Sequence, residues 1–239
     1  HKNMALVNIS PYTNGTTHAL GSINRGPVGS WNPGVRSQTT GTNVVTSGTT
    51  NKDIWVKVLL GSRGASYWLS RAYVWYDTSA YAGSITALEI NVNSISNASN
   101  PIDVICVPST AFGNNTTSTL SLSDYGSINF AVAYSSNTAW QNINGVWQLP
   151  LNSAAVTAAN TGKIGISIIN ENWDYQDVDP NVGISFDWWD TIDYTNPGKF
   201  SLATTYSSGY GNAINGVLAA NIGQVNGILT ADIGSINGI

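Results

Sequence analysis

The chain has 239 residues, of which only 9% are charged, and its formal net charge of −4 is spread without any cluster of Lys or Arg. That balance lacks the electrostatic footprint needed to hold a phosphate backbone. Cys106 is the single cysteine, so an intrachain disulfide and a Cys-based zinc site are both excluded. Ser, Thr, Asn and Gly fill the polar positions, while 9 Trp and 11 Tyr outnumber 4 Phe. Trp and Tyr combine an apolar body with a polar tip, which suits half-wet surfaces. No apolar run approaches the roughly 18–20 residues that span a bilayer. Neither nucleic acid nor membrane insertion is therefore expected.

Residues 1–52 are rich in Gly, Ser, Thr and Asn, with Pro11, Pro27 and Pro33 spread among them. They read as an extended arm with few strands. From Asp53 the texture changes: Ile54, Val56, Val58 and Leu60 alternate with Trp55, Lys57 and Leu59, the period of a strand. Gly61-Ser62-Arg63-Gly64 then turns the chain. From Tyr67 to Asp77, Trp68, Ser70, Ala72, Val74 and Tyr76 share one side and Leu69, Arg71, Tyr73 and Trp75 the other, so both faces are expected to be covered. Thr86, Leu88, Ile90 and Val92 form the inner face of the next strand. Further strands are predicted over Asp103–Val107, Ser127–Ala133, Val146–Leu151, Lys163–Ile169, Val182–Asp187 and Phe200–Tyr206, separated by turn residues. One short helix, Ser153–Asn160, is predicted with Ser153 as its cap and Gly162 at its end. Strands without alternating helices point to an all-β antiparallel two-sheet sandwich of jelly-roll type over residues 53–208, with a closed barrel as the alternative.

The run Tyr67-Trp68-Leu69-Ser70-Arg71-Ala72-Tyr73-Val74-Trp75-Tyr76-Asp77-Thr78-Ser79, followed by Ile85-Thr86-Ala87-Leu88-Glu89-Ile90, resembles the opening of the DNRLRE-type, carbohydrate-binding-module-like jelly rolls. Asp103-Val104-Ile105-Cys106-Val107-Pro108, Lys163-Ile164-Gly165-Ile166-Ser167 and Pro197-Gly198-Lys199-Phe200-Ser201-Leu202 are similar to later strands of that family. The resemblance covers about residues 53–206. Trp188-Trp189 and the acidic stretch around them depart from it, and Ser167 stands where a basic residue is common. Modules of this look occur in virion proteins of tailed bacteriophages, often ahead of short Val-Asn-Gly-Val-like repeats. The resemblance thus implies a non-enzymatic structural virion protein, exposed on the particle surface, with other virion proteins as partners.

Seven of the thirteen acidic residues lie between Glu171 and Asp193. Asp174, Asp177 and Asp179 on one loop could supply three of the oxygens that Ca²⁺ prefers, although the spacing is not that of an EF-hand and a solvated acidic loop is the competing reading. Trp173, Tyr175, Trp188 and Trp189 stand beside those carboxylates, and rings next to carboxylates and amides suit a sugar's apolar face and hydroxyls. The competing reading places these aromatics in the core or in a subunit contact. Arg71, mid-strand among large residues, is expected to be a buried cation paired with Asp77, Asp103 or another carboxylate. Cys106 lies in an apolar strand without a nearby His and reads as a buried structural thiol. No G-x-S-x-G elbow occurs, His1 and His18 fall in the arm, and Glu89 and Glu171 do not suggest an opposed glycosidase pair.

Residues 209–239 repeat with an eleven-residue step. Ile214-Asn215-Gly216-Val217, Val225-Asn226-Gly227-Ile228 and Ile236-Asn237-Gly238-Ile239 recur, as do Asn221-Ile222-Gly223 and Asp232-Ile233-Gly234. A unit this small cannot bury its own apolar face and must stack on neighbours or on other chains. Ile214, Val217, Ile222, Val225, Ile228, Ile233 and Ile236 are the expected oligomerisation stripe. An eleven-residue period would suit a supercoiled helix, but the recurrent Asn-Gly disfavours one, leaving short turns between brief helical or extended pieces. The pattern breaks off at Ile239, from which a continuation or a partner is expected. By analogy with the resembled family, a homotrimeric fibre, neck appendage or capsid decoration touching host glycans is expected, a secreted bacterial carbohydrate-binding or adhesin module being the alternative.

Overall fold

The computed structural model describes residues 4–46, 50–62, 64–96, 103–136, 140–180, 187–193, 200–207, 224–225 and 228–229. The fold is mostly β. Strands β1 (Met4–Ile9), β2 (Thr13–Asn14), β3 (Thr17–His18), β4 (Leu20–Val28) and β5 (Asn43–Thr46) come from the N-terminal segment. They precede β6 (Thr50–Gly61), β7 (Gly64–Asp77), β8 (Ile85–Ser96) and β9 (Val104–Pro108). A single left-handed helical turn, α1 (Ala111–Asn115), comes next, with Phe112, Gly113, Asn114 and Asn115 all at φ between 56° and 63°. Strands β10 (Gln141–Ile143) and β11 (Val146–Leu151), helix α2 (Ser153–Ala159) and strand β12 (Lys163–Asn170) follow. Then come β13 (Asp187–Asp193), β14 (Phe200–Ser207), β15 (Gln224–Val225) and β16 (Ile228–Leu229).

Among the described residues every strand pairing is antiparallel. The main sheet runs in the order β1-β14-β8-β13-β6-β7-β12-β9, with β11 also on β8 and β4 also on β7. The alternation along β7 explains how it packs. Ala72, Val74 and Tyr76 join Leu88, Ile90, Val92, Leu149, Ile166 and Leu202 in one buried cluster. On the other face Leu69, Tyr73 and Trp75 join Ile23, Trp31, Val35, Phe112 and Tyr125. Residues 69–76 are consequently all buried, as the two-sided pattern predicted.

The N-terminal segment is not an extended arm with few strands. Strand β4 lies against β7 in register from Leu20↔Val74 to Arg25↔Leu69, and Leu20 and Ile23 are fully buried. Gly21 has no room for a side chain, because a Cβ there would strike the carbonyl oxygen of Val45. Gly21, Gly34 and Gly41 thus serve close packing rather than looseness. Residues Ser127–Ala133 do not form a strand either. They run beside β9 with one isolated bridge, Ser109↔Ile128, and the Asn129 side chain takes the amide of Ala131 into a local turn, a known competitor of ladder pairing.

Local chemistry accounts for the other departures. In β8, Ile85 is buried and Thr86 exposed, because Tyr206 pairs with Ile85 and Thr205 with Ala87, leaving Thr86 as the extra residue of a bulge. The cap of α2 is Asn152, whose side-chain oxygen accepts the amides of Ala154 and Ala155 at 3.0 and 3.3 Å; Ser153 is the first helical residue. Gly162, at φ +101°, sits just beyond the helix in the left-handed conformation that favours glycine. Asn144 and Gly145, at φ 53° and 84°, link β10 to β11 in the manner of a two-residue hairpin turn. Residues 182–186 of the strand predicted over Val182–Asp187 lie outside the described residues, and Asp187 opens β13.

Candidate functional site

Arg71 projects from β7 into the second cluster, and its surroundings define the most strongly organised polar site. Its guanidinium is fully buried. Its Nε donates to Oδ2 of Asp174 at 2.7 Å and its Nη2 to Oδ1 at 2.7 Å, a bidentate pair of the strongest hydrogen-bonding kind. The remaining donors reach the main chain, Nη1 to the Tyr125 carbonyl at 2.9 Å and Nη2 to the Arg36 carbonyl at 2.8 Å. The Tyr125 ring lies 4.3 Å from the guanidinium carbon and the Phe130 ring 5.4 Å. Burial alone would lower the pKa of this group, yet the charge of Asp174, then that of Tyr125, hold it above its ordinary value.

A second cation sits beside the first. Arg36 donates from Nε to the Asp174 carbonyl at 2.7 Å, covers the Phe130 ring at 4.4 Å and places Nη1 3.3 Å from Oδ2 of Asp177. Asn32 donates to both Asp177 oxygens at 3.3 Å while accepting from the Ser37 hydroxyl at 2.6 Å. Tyr73 donates to the Tyr125 carbonyl at 2.8 Å, and Tyr125 donates to the Val35 carbonyl at 3.1 Å. The loop that presents the acids begins with one wide helical turn of π type, Glu171–Tyr175, started by the Asn170 side chain accepting the Trp173 amide at 2.7 Å.

The three carboxylates expected on a Ca²⁺ site take separate partners. Asp174 is spent on Arg71, Asp177 on Arg36 and Asn32, and Asp179 lies beside the Tyr67 hydroxyl. Burial, then the Asp179 charge, raises the Tyr67 pKa. Among the described residues no group of three or more His, Cys, Asp or Glu side chains is placed to hold a metal. The aromatics of the same stretch also diverge. Trp173 packs on the second cluster and Tyr175 on a smaller one formed by Ile105, Val107 and Ile169. Trp188 and Trp189 have their backbone in β13, Trp188 opposite Trp55, and their side chains lie outside the described residues.

Arg71 pairs with Asp174, 103 residues away, and with neither Asp77 nor Asp103. The contributions of Arg36, Asn32, Tyr125 and Phe130 carried no sequence signal of their own beyond the scarcity of cations, which makes each buried Arg notable. Cys106 is fully buried, and its thiol is pushed up to about 12 by that burial, against a smaller lowering by Ser135. Of the tail stripe, Val225 pairs with Ile228 and Gln224 with Leu229; Ile214, Val217, Ile222, Ile233 and Ile236 lie outside the described residues. Among the described residues no helix is long and apolar enough to cross a membrane.

In the Arg71 site both Asp174 oxygens accept guanidinium donors, the Tyr73 and Tyr125 hydroxyls donate to main-chain carbonyls, and the more exposed Asp177 is ion-paired with Arg36. The arrangement ties three remote segments to the central strand. No protein-family model and no curated protein matches this sequence.

Proposed function

We propose that this chain is a non-enzymatic structural protein of a tailed-phage particle, a jelly-roll module carried on the virion surface with a repeat tail for assembly. The observation that carries the proposal is the Val225↔Ile228 pair within the repeat. Two apolar residues of one eleven-residue unit stand opposite each other on a two-stranded ladder, and a ladder this short is not stable alone in water. The same Ile/Val-Asn-Gly-Val/Ile unit occurs three times, so the tail offers a repeated apolar stripe that requires a partner, either identical chains or another virion protein.

The jelly-roll sandwich is supported by the antiparallel pairing and by the buried cluster shared between β8, β11 and β14 on one side and β7, β9 and β12 on the other. A structural rather than catalytic role is supported by the bidentate pairing of Arg71 with Asp174, which engages both charges of the site with each other. Threefold symmetry follows from the sequence resemblance, whereas glycan contact through Trp188 and Trp189 follows from aromatic rings that stand beside carboxylates in the sequence. The test is the abundance of this chain in purified particles, measured by quantitative mass spectrometry and located by antibody-labelled electron microscopy. A fixed copy number per particle is expected. A chain found only as a free monomer outside particles would overturn the proposal, and a cell-wall fraction binding glycans through Trp188 and Trp189 would replace it with the bacterial adhesin.

A further inference from the structure

We infer that β1 is a docking edge for a second copy of this chain, the two β1 strands pairing antiparallel about a twofold axis and joining two sheets into one. Among the described residues strand β1 ends the sheet and pairs with β14 alone, from Met4↔Ser207 to Ile9↔Leu202. Its outer row of backbone N–H and C=O groups therefore has no strand beside it among the described residues. Proteins normally blunt such an edge with charge, proline, a bulge, brevity or a covering loop. Strand β1, Met-Ala-Leu-Val-Asn-Ile, is six residues long without charge, proline or bulge, and no covering loop lies on it among the described residues. The other edges are blunted. Strand β9 is covered, with Tyr134 donating to the Cys106 carbonyl, Asn129 to the Pro108 carbonyl and Trp140 to the Val104 carbonyl. Strands β10 and β5 are three and four residues long.

The occupant follows from the side chains. Burial alternates along β1, placing Met4, Leu6 and Asn8 outward and Ala5, Val7 and Ile9 inward. Met4 and Leu6 are 52% and 69% exposed, two of the large apolar side chains left in solvent. With no charge in the strand, two copies meet without repulsion, and an isologous contact needs only a self-complementary surface. Opposed residues in an antiparallel pair share a face, so outward residues must face outward ones. A pairing with Leu6 opposite Leu6 sets Met4 against Asn8 and Ala5 against Val7. It covers both exposed apolar side chains, whereas centring on Val7 leaves Met4 without a partner. The joined outer faces continue the shallow groove of about 340 Å³ lined by Leu6, Ala87, Glu89, Pro150, Ala203 and Thr205, in which Glu89 is the sole ionisable group.

Disulfide trapping of the full chain tests this independently of where the protein resides. Opposed Cα atoms in an antiparallel pair lie about 4.5–5.5 Å apart, within the reach of a disulfide, and the native Cys106 is fully buried and will not compete. Leu6→Cys should give a covalent dimer on mild oxidation. Leu60→Cys, at a matched 64% exposure, should give at least tenfold less. Leu6→Lys, which brings two like charges together on the axis, should halve the assembly mass in light scattering while leaving the circular dichroism unchanged. Equal trapping at positions 6 and 60, an unchanged mass for Leu6→Lys, or trapping of the Leu6→Cys chain only by a Val225→Cys chain would each overturn the inference, the last by making the tail the occupant.

Discussion

Replacing Asp174 by Ala isolates what the buried pair contributes. The substitution removes two charge-assisted hydrogen bonds of 2.7 Å and leaves the Arg71 cation inside the protein, with the Arg36 guanidinium close by, its Nε having stood 3.9 Å from Oδ1 of Asp174. Hydrogen bonds to charged groups contribute about 1.5–3 kcal/mol each, and removing one partner of a buried pair costs about 3–5 kcal/mol. For a chain of this length each kcal/mol moves the melting temperature by about 2–4 °C, so a fall of about 6–20 °C is expected. Thermal unfolding followed by near-ultraviolet circular dichroism at fixed protein concentration measures it. Asp177→Ala is the internal contrast. That carboxylate is 43% exposed, so its loss should cost less than about 1 kcal/mol. Arg71→Met combined with Asp174→Leu removes both charges and should lie above Asp174→Ala in stability. A loss below about 1 kcal/mol for Asp174→Ala, or a double variant no better than the single one, would refute the reasoning.

Three further outcomes follow from local geometry. Asn152→Ala should cost about 0.5–2 kcal/mol in urea unfolding, while Ser153→Ala stays within about 0.5 kcal/mol, because the cap is the former. Gly165→Ala should cost about 1–3 kcal/mol, since its Cβ would strike the Ser109 carbonyl and the Asn115 side chain, whereas Gly29→Ala, with open space around it, should be neutral. The Cys106 thiol is raised in the folded chain to about 12 from an ordinary 9.0. Below pH 9 both states are protonated; above it the unfolded state ionises first, so stability falls as pH rises through 9 to 12. The slope approaches about 1.4 kcal/mol per pH unit. Cys106→Ala should be flatter between about pH 9 and 10, and a thiol reagent at about pH 8 should label Cys106 only after unfolding.

What the sequence disclosed was the short-range pattern. The two-sided alternation of β7 gave both core faces, and β11 was bounded correctly from Val146 to Leu151. What it hid depended on distance or on a single inserted residue. Nothing local marks Arg36, in a Gly- and Ser-rich stretch, as the companion of Arg71, because their meeting is set by sheet packing. Thr86 sits at an apolar position of the pattern but faces solvent, since one bulged residue reverses the alternation. Ser127–Ala133 has strand-like composition, yet Asn129 satisfies the backbone locally. The acidic loop invited a cation site, and Arg71 and Arg36 supply the positive charge from within the chain.

Because the Arg71 guanidinium is shared among Asp174 and the carbonyls of Arg36 and Tyr125, no one of those three segments can lift away without stranding a cation. Opening of the acidic loop is therefore coupled to opening of the N-terminal layer and of the Tyr125 turn. Amide hydrogen exchange in the three should proceed at a common rate rather than as separate fraying events. A chain tied together this way should resist piecemeal proteolysis and give way, when it does, all at once.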